Sequence, residues 1–170
     1  MSLSKSLPVR EPSKTCAQEL AIVQPHHVGC AVPDLEDGCD VYASALGLRR
    51  RTRAFDITSQ GVRVCFLEMR AGFYLELVMP LSENARLSTC MKVGFYHLCM
   101  LVQDLETSRK HLKALQFSPL PSFSSEAFAG APCQFFLNPQ RHLIELAQIS
   151  AAAFEDFFHA NLYRGGPAKS

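Results

Sequence analysis

Apolar residues fall along this chain in short runs broken by polar turns, and the order of runs occurs twice. One run, residues 27–32, leads into Pro33-Asp34, and another, residues 97–102, leads into Gln103-Asp104. An aspartate at that junction reads as a helix N-cap, since its carboxylate can accept from the free N–H groups of the first turn. Amphipathic stretches follow at about 35–46, with Val41, Tyr42 and Ala45 on the apolar face, and at about 105–115, with Leu105, Leu112 and Leu115. Gly47 ends the first of these as a C′ glycine would. Extended segments are predicted at 50–56, 61–69 and 72–79 in the first half, and at 117–123, 132–138 and 141–148 in the second. Each half therefore reads β-α-β-β-β. Residues 150–162 have helical spacing around Phe154, Phe157 and Phe158, and are read as a helix docked on the domain or on a partner subunit.

The two halves also share residues. His27-Val-Gly-Cys-Ala-Val-Pro-Asp-Leu-Glu36 and His97-Leu-Cys-Met-Leu-Val-Gln-Asp-Leu-Glu106 share the pattern H-x-x-x-x-V-x-D-L-E at an offset of 70 residues. Ala45-Leu46-Gly47-Leu48 answers Ala114-Leu115-Gln116-Phe117, and Leu75-Glu76-Leu77 answers Ile144-Glu145-Leu146, both at 69. Three blocks in one order at one offset indicate an internal duplication. Neither half can bury its helix and sheet alone. The expectation is an α+β fold in which two βαβββ modules pair into one curved mixed sheet around a cleft. The predicted organisation is a flexible N-terminal tail (1–23), a paired domain (24–149; repeats 24–81 and 94–149), and a C-terminal helix and tail (150–170).

Composition narrows the function by exclusion. A net charge of +1 and the lack of a basic stripe leave no footprint for nucleic acid. No apolar run is long enough to span a membrane. Seven cysteines without a C-x-x-C pair, and an N-terminal segment without the apolar core of a secretory signal, point to a reducing, cytoplasmic setting. Cys30, Cys65, Cys99 and Cys133 sit inside apolar strands and read as small hydrophobes. No phosphate-binding loop, nucleophile elbow or dinucleotide fingerprint is present.

The chemistry lies where polar residues interrupt apolar strands at matching points of the duplication. His27 shares a strand face with Gly29 and Ala31, whose small size leaves room for a ligand beside the imidazole. Glu76 lies within Phe73-Tyr-Leu-Glu-Leu-Val-Met79, and Glu145 within Leu143-Ile-Glu-Leu-Ala147. A carboxylate in such a run is costly to bury unless it is paired or ligates a metal. Either histidine alone reads more simply as structural, and either glutamate alone as an edge-strand residue facing solvent. Together, His27, Glu76, His97 and Glu145 make two neutral imidazoles and two carboxylates, which balance one divalent ion: zinc, cobalt, nickel, iron or manganese. His26 and Tyr96, one residue before each histidine, are expected on the opposite strand face in structural or supporting roles. His111, His142 and His159 have no partner pattern. The cations Arg49, Arg50, Arg51 and Arg53 read as a solvated strand edge, with contact to an anionic substrate as the lesser reading.

These residues resemble the vicinal-oxygen-chelate superfamily, and within it the branch of methylmalonyl-CoA epimerase and glyoxalase I. The resemblance rests on His26-His27-Val-Gly-Cys-Ala-Val-Pro-Asp-Leu-Glu36, Gln60-Gly-Val-Arg-Val64, Leu75-Glu76-Leu-Val-Met-Pro80, Tyr96-His97-Leu-Cys99 and Leu143-Ile-Glu145-Leu-Ala-Gln148, within residues 24–149. It implies a metal held by His27, Glu76, His97 and Glu145, chemistry through a metal-bound enolate, and a homodimer. It also implies a small-molecule substrate with a carbonyl or thioester, with Glu145 as catalytic base or ligand-base and Glu76 as its counterpart. The chain departs from the epimerases at Tyr96-His97, where they usually have a histidine pair. It also lacks their polar, lysine-containing loop in the stretch 126–134. The leading expectation is a metal-dependent isomerase, epimerase or lyase acting next to a carbonyl. The alternatives are a glyoxalase-type thiol-dependent lyase, a small-molecule resistance protein, and a non-catalytic ligand-binding protein.

Overall fold

Both halves build the unit that their alternation predicts, as seen in a computed structural model that describes residues 22–50, 52–82 and 94–164. The first half runs β1 (Ile22–Ala31), α1 (Leu35–Leu46), β2 (Arg49–Arg50), β3 (Phe55–Ile57), β4 (Val62–Arg70) and β5 (Phe73–Pro80). The second runs β6 (Gly94–Val102), α2 (Leu105–Ala114), β7 (Ser118–Pro119), β8 (Phe123–Ser125), a 3-10 turn (Glu126–Phe128), β9 (Ala131–Leu137) and β10 (Leu143–Gln148). Helix α3 (Ala151–Ala160) follows. Residues 1–21, 83–93 and 165–170, with Arg51, lie outside the described residues, as do most of the expected N-terminal tail and the end of the C-terminal one. No helix among the described residues is long and apolar enough to cross a membrane.

Local chemistry explains the boundaries. Asp34 accepts from the N–H groups of Glu36 and Asp37, and Asp104 from that of Thr107, so both aspartates cap their helices. Gly47 ends α1 with φ at 66°, and Gln116, at the matching point of the repeat, also has φ at 66°. The helix faces differ from expectation. Val41 is 60% and Leu115 47% exposed, and the buried stripes are Leu35, Gly38 and Cys39 in α1 and Leu105, Ser108 and Leu112 in α2. Those residues follow the i, i+3/i+4 spacing that faces the sheet.

The extended segments expected at 50–56 and 117–123 are each split in two. β2 and β3 both pair with β4, and the chain turns away between them so that the Thr52 hydroxyl accepts from the N–H of Phe66 at 3.1 Å. β7 and β8 both pair with β9, and Pro119 and Pro121, without N–H groups, interrupt the ladder between them.

All these strands form one open mixed sheet in the order β2-β4-β5-β1-β6-β10-β9-β7, with β3 and β8 pairing at β4 and β9. The antiparallel β1–β6 pair is the seam between the modules, and β5 and β10 flank it as parallel neighbours. The register is symmetric about the seam. Glu76, Gly29 and His97 form one lateral row; His27, Cys99 and Glu145 form another two residues along β1, beyond the row through Val28. Two irregularities also match: His26 is skipped in β1 between paired Pro25 and His27, and Tyr96 is skipped in β6 between paired Phe95 and His97. Each is a β-bulge one residue before the repeat-related histidine.

Helix α3 lies against the sheet face that carries this site. Phe154 and Phe158 are fully buried and pack with Phe66, Tyr74 and Phe128. Cys30, Cys65, Cys99 and Cys133 are buried free thiols, as their apolar strand contexts suggest, and so is Cys39 on the buried face of α1.

Candidate metal centre

The lateral rows bring side chains from four adjacent strands to one point. His27 comes from β1, His97 from β6, Glu76 from β5 and Glu145 from β10, and all four are buried. His27 Nε2 lies 3.3 Å from an oxygen of Glu76 and 3.3 Å from one of Glu145. His97 Nε2 lies 3.5 Å and 3.3 Å from the same two oxygens, and the two Nε2 atoms are 2.8 Å apart. Ligand atoms about 2.0–2.2 Å from a shared ion are separated by about 2.8 to 3.6 Å for right-angle to tetrahedral geometry. The histidine–histidine and histidine–carboxylate separations fall in that range, and His27, His97 and Glu145 group closely enough to hold a divalent cation, with Glu76 beside both histidines. Because β5 and β10 are interior strands, neither carboxylate faces solvent at a sheet edge.

The bulges change the orientation expected for two residues. An ideal strand would turn His26 and Tyr96 away from the site, but the extra residue of a bulge breaks the alternation. His26 therefore lies beside His27, with their Nδ1 atoms 2.8 Å apart. Its ring is enclosed by Phe66, Tyr74, Phe128, Phe154 and Phe158, and the Phe154 centroid lies at 4.1 Å. Burial, and secondarily the nearby His27, holds the His26 pKa well below its usual value, so this ring is neutral and its Nδ1 accepts from His27 Nδ1–H. That bond leaves His27 Nε2 directed at the centre, as a metal-bound histidine requires. Nδ1 of His97 has no partner among the described residues.

The space above Gly29 differs from expectation too. It is filled by the His97 ring: a Cβ placed on Gly29 would lie 2.0 Å from His97 Cε1. The space open to a ligand lies instead in a narrow, half-open cleft lined by Glu76, Glu145, Tyr96, Gln60, Ser125 and apolar residues including Val64, Val78, Phe123 and Phe135. The repeat-related pairs His27–Phe66 and His97–Phe135 have ring centroids 5.4 Å and 5.3 Å apart. One pair faces the aromatic packing under α3, and the other faces the cleft. Sequence reasoning had no sign of Ser125 as a cleft residue, since it stands in an ordinary polar turn. Arg50 binds Glu36 at 2.6 Å, Arg53 binds Asn161 at 2.8 Å, and no arginine lines the cleft among the described residues. His111, His142 and His159 lie outside the histidine–carboxylate groups able to hold a metal.

Burial alone would lower the His27 pKa, but Glu76 and Glu145 beside it raise it to about 9 in the metal-free protein. Burial likewise opposes ionisation of Glu145, yet hydrogen bonds from His27 and His97 hold its pKa far below the usual carboxylate range. The raised His27 value contributes stability that is complete below about 6.5 and is lost as pH rises through about 9. Glu145 contributes above its unfolded value and loses its share only in strong acid, so it is constant across that window. Urea titrations of chelator-treated protein should therefore show a midpoint that falls between pH 6.5 and 9. A flat profile would show that His27 does not hold a proton between the carboxylates.

The chain also resembles known proteins. The sequence profile of the glyoxalase/bleomycin resistance protein/dioxygenase superfamily matches residues 26–136. An ethylmalonyl-CoA/methylmalonyl-CoA epimerase of Cereibacter sphaeroides is 30% identical over 131 residues, covering 73% of this chain and 96% of the relative. The mitochondrial methylmalonyl-CoA epimerase of Homo sapiens is 28% identical over 130 residues, covering 72% of each. Among solved structures, methylmalonyl-CoA epimerase from Mycobacterium tuberculosis superposes with a TM-score of 0.64 at 23% identity, over 75% of this chain and 88% of that one.

Proposed function

The chain belongs to the glyoxalase/bleomycin resistance protein/dioxygenase superfamily, and on that basis we propose that it is a metal-dependent epimerase of a methylmalonyl-CoA-like thioester. His27, Glu76, His97 and Glu145 would hold one divalent ion. The observation that carries this reading is the convergence of two repeat-related histidine–glutamate pairs at the floor of a cleft. Two imidazoles and two carboxylates suit zinc, cobalt, nickel, iron or manganese. When bound, such an ion supplies Lewis acidity, drawing electron density from a carbonyl so that the adjacent C–H proton is easier to remove.

The protein's own groups supply the rest. Epimerisation removes a proton from one face of a carbon and returns one to the other. Among the described residues lining the cleft, the carboxylates are Glu76 and Glu145, and they approach from opposite flanks of the β1–β6 seam. Glu145 is kept ionised by its two histidines and is assigned as the base, with Glu76 as its counterpart. The apolar walls, Val64, Val78, Phe123 and Phe135, exclude water from the carbon being deprotonated.

The test is metal analysis of the purified protein, together with NMR of α-proton exchange of methylmalonyl-CoA in D₂O. Exchange should occur with the protein as purified or after adding a divalent ion, stop on treatment with a chelator, and return when the ion is restored. A protein that binds no divalent ion, or that exchanges equally well after chelation, overturns the reading.

A further inference from the structure

Three polar side chains of the cleft have no assigned task. Tyr96, Gln60 and Ser125 line the same space as Glu76 and Glu145. None of the three has a side-chain hydrogen bond among the described residues. Tyr96 is there only because the β6 bulge turns it to the same side as His97, its ring centroid 4.4 Å from that imidazole. At the matching bulge of β1, His26 accepts from His27 and is sealed among phenylalanines. The duplication thus placed two residues alike, and the one at the open end has no side-chain hydrogen-bond partner among the described residues.

The charge of the cleft determines which ligand group suits these donors. Among the described residues no lysine, arginine or histidine lines it, and its two carboxylates repel an anion. Two carboxylates already neutralise a divalent ion, so a further carboxylate on the substrate needs hydrogen-bond donors in place of a counter-charge. We propose that Tyr96, helped by Ser125 and Gln60, donates hydrogen bonds to the free carboxylate of the substrate's acyl group and selects malonyl-type thioesters over simple acyl ones. This rests on the epimerase reading above and extends it to a residue in which the chain departs from the epimerases' usual histidine pair.

The test is calorimetric titration of the metal-loaded protein with malonyl-CoA and with acetyl-CoA, which differ by that carboxylate. In Tyr96→Phe, malonyl-CoA binding should weaken by about tenfold to a hundredfold, the loss expected for a hydrogen bond to a charged group, with acetyl-CoA binding unchanged. KM for methylmalonyl-CoA should rise more than kcat falls, and bound metal should stay at the level of the unaltered protein. Equal loss for both thioesters, or loss for neither, overturns the proposal even where the unaltered protein exchanges the α-proton normally. Ser125→Ala, on β8, carries the same prediction with a smaller loss, and so decides the matter if Tyr96→Phe folds poorly. If the unaltered protein binds the two thioesters equally, this inference fails. If it shows no exchange at all, the epimerase reading fails with it.

Discussion

Glu145→Gln is expected to slow α-proton exchange by about 10²- to 10⁴-fold, the range ascribed to a positioned general base. Glutamine keeps the shape of the side chain and an oxygen able to ligate, but that oxygen does not accept a proton near neutral pH. The substitution therefore separates holding an ion from moving a proton. Exchange should collapse in NMR with bound metal largely retained by elemental analysis, whereas His27→Ala and His97→Ala should lose both. The native carboxylate is buried at the cleft, with one oxygen 3.3 Å from the Nε2 atoms of both His27 and His97. If Glu145→Gln retains metal and exchanges at the original rate, the base is another group and Glu145 is a ligand alone.

Gly29→Ala should remove the centre without touching a ligand. The new methyl carbon would occupy the space of the His97 ring, with Cε1, Nδ1 and Nε2 at 2.0, 2.2 and 2.8 Å. The imidazole has little room to yield. It packs against Tyr96 and Phe135, with centroids at 4.4 and 5.3 Å, and meets His27 on its inner side. Displacing the ring takes Nε2 from the point where the four donors meet. Metal affinity should fall by at least the roughly 10- to 100-fold seen when a residue that orients a ligand is lost, and exchange should fall with it. Unaltered metal affinity in a competition titration with a chromophoric chelator would show that the ring is free to move. Running the urea titration with chelator present separates this effect from simple destabilisation of β1.

The duplication made the four proposed ligands legible, because buried histidines and glutamates that recur at one offset in apolar strands call for something shared between them to repay their burial. The same periodicity misassigned their neighbours. Strict alternation sends His26 and Tyr96 to the far face, and a bulge leaves no mark in the pattern of apolar and polar residues, since it is set by how β1 and β6 pair across the seam. The role of Gly29 was hidden for the same reason: its small size was visible, but the occupant above it, His97, comes from the facing strand. Prolines at 119 and 121 and the Thr52 hydroxyl similarly divided two segments that composition alone made continuous. Local caps were the most readable features, because Asp34, Asp104 and Gly47 act within their own turns.

Helix α3 gives the duplicated trough a direction. Two modules related by a two-fold axis through the β1–β6 seam would form a passage with identical mouths, and a ligand would meet the same walls from either side. Phe154 and Phe158 stop one mouth, where His26 and Phe66 stand, and leave open the other, where Tyr96 and Phe135 stand. Ancestral equivalents have thereby come under different demands. Residues at the stopped mouth answer to packing density, while those at the open mouth are free to vary with the cargo. A single appended helix thus turns a symmetric vessel into one with a bottom and a rim, and changes of substrate within this architecture should be written at the rim.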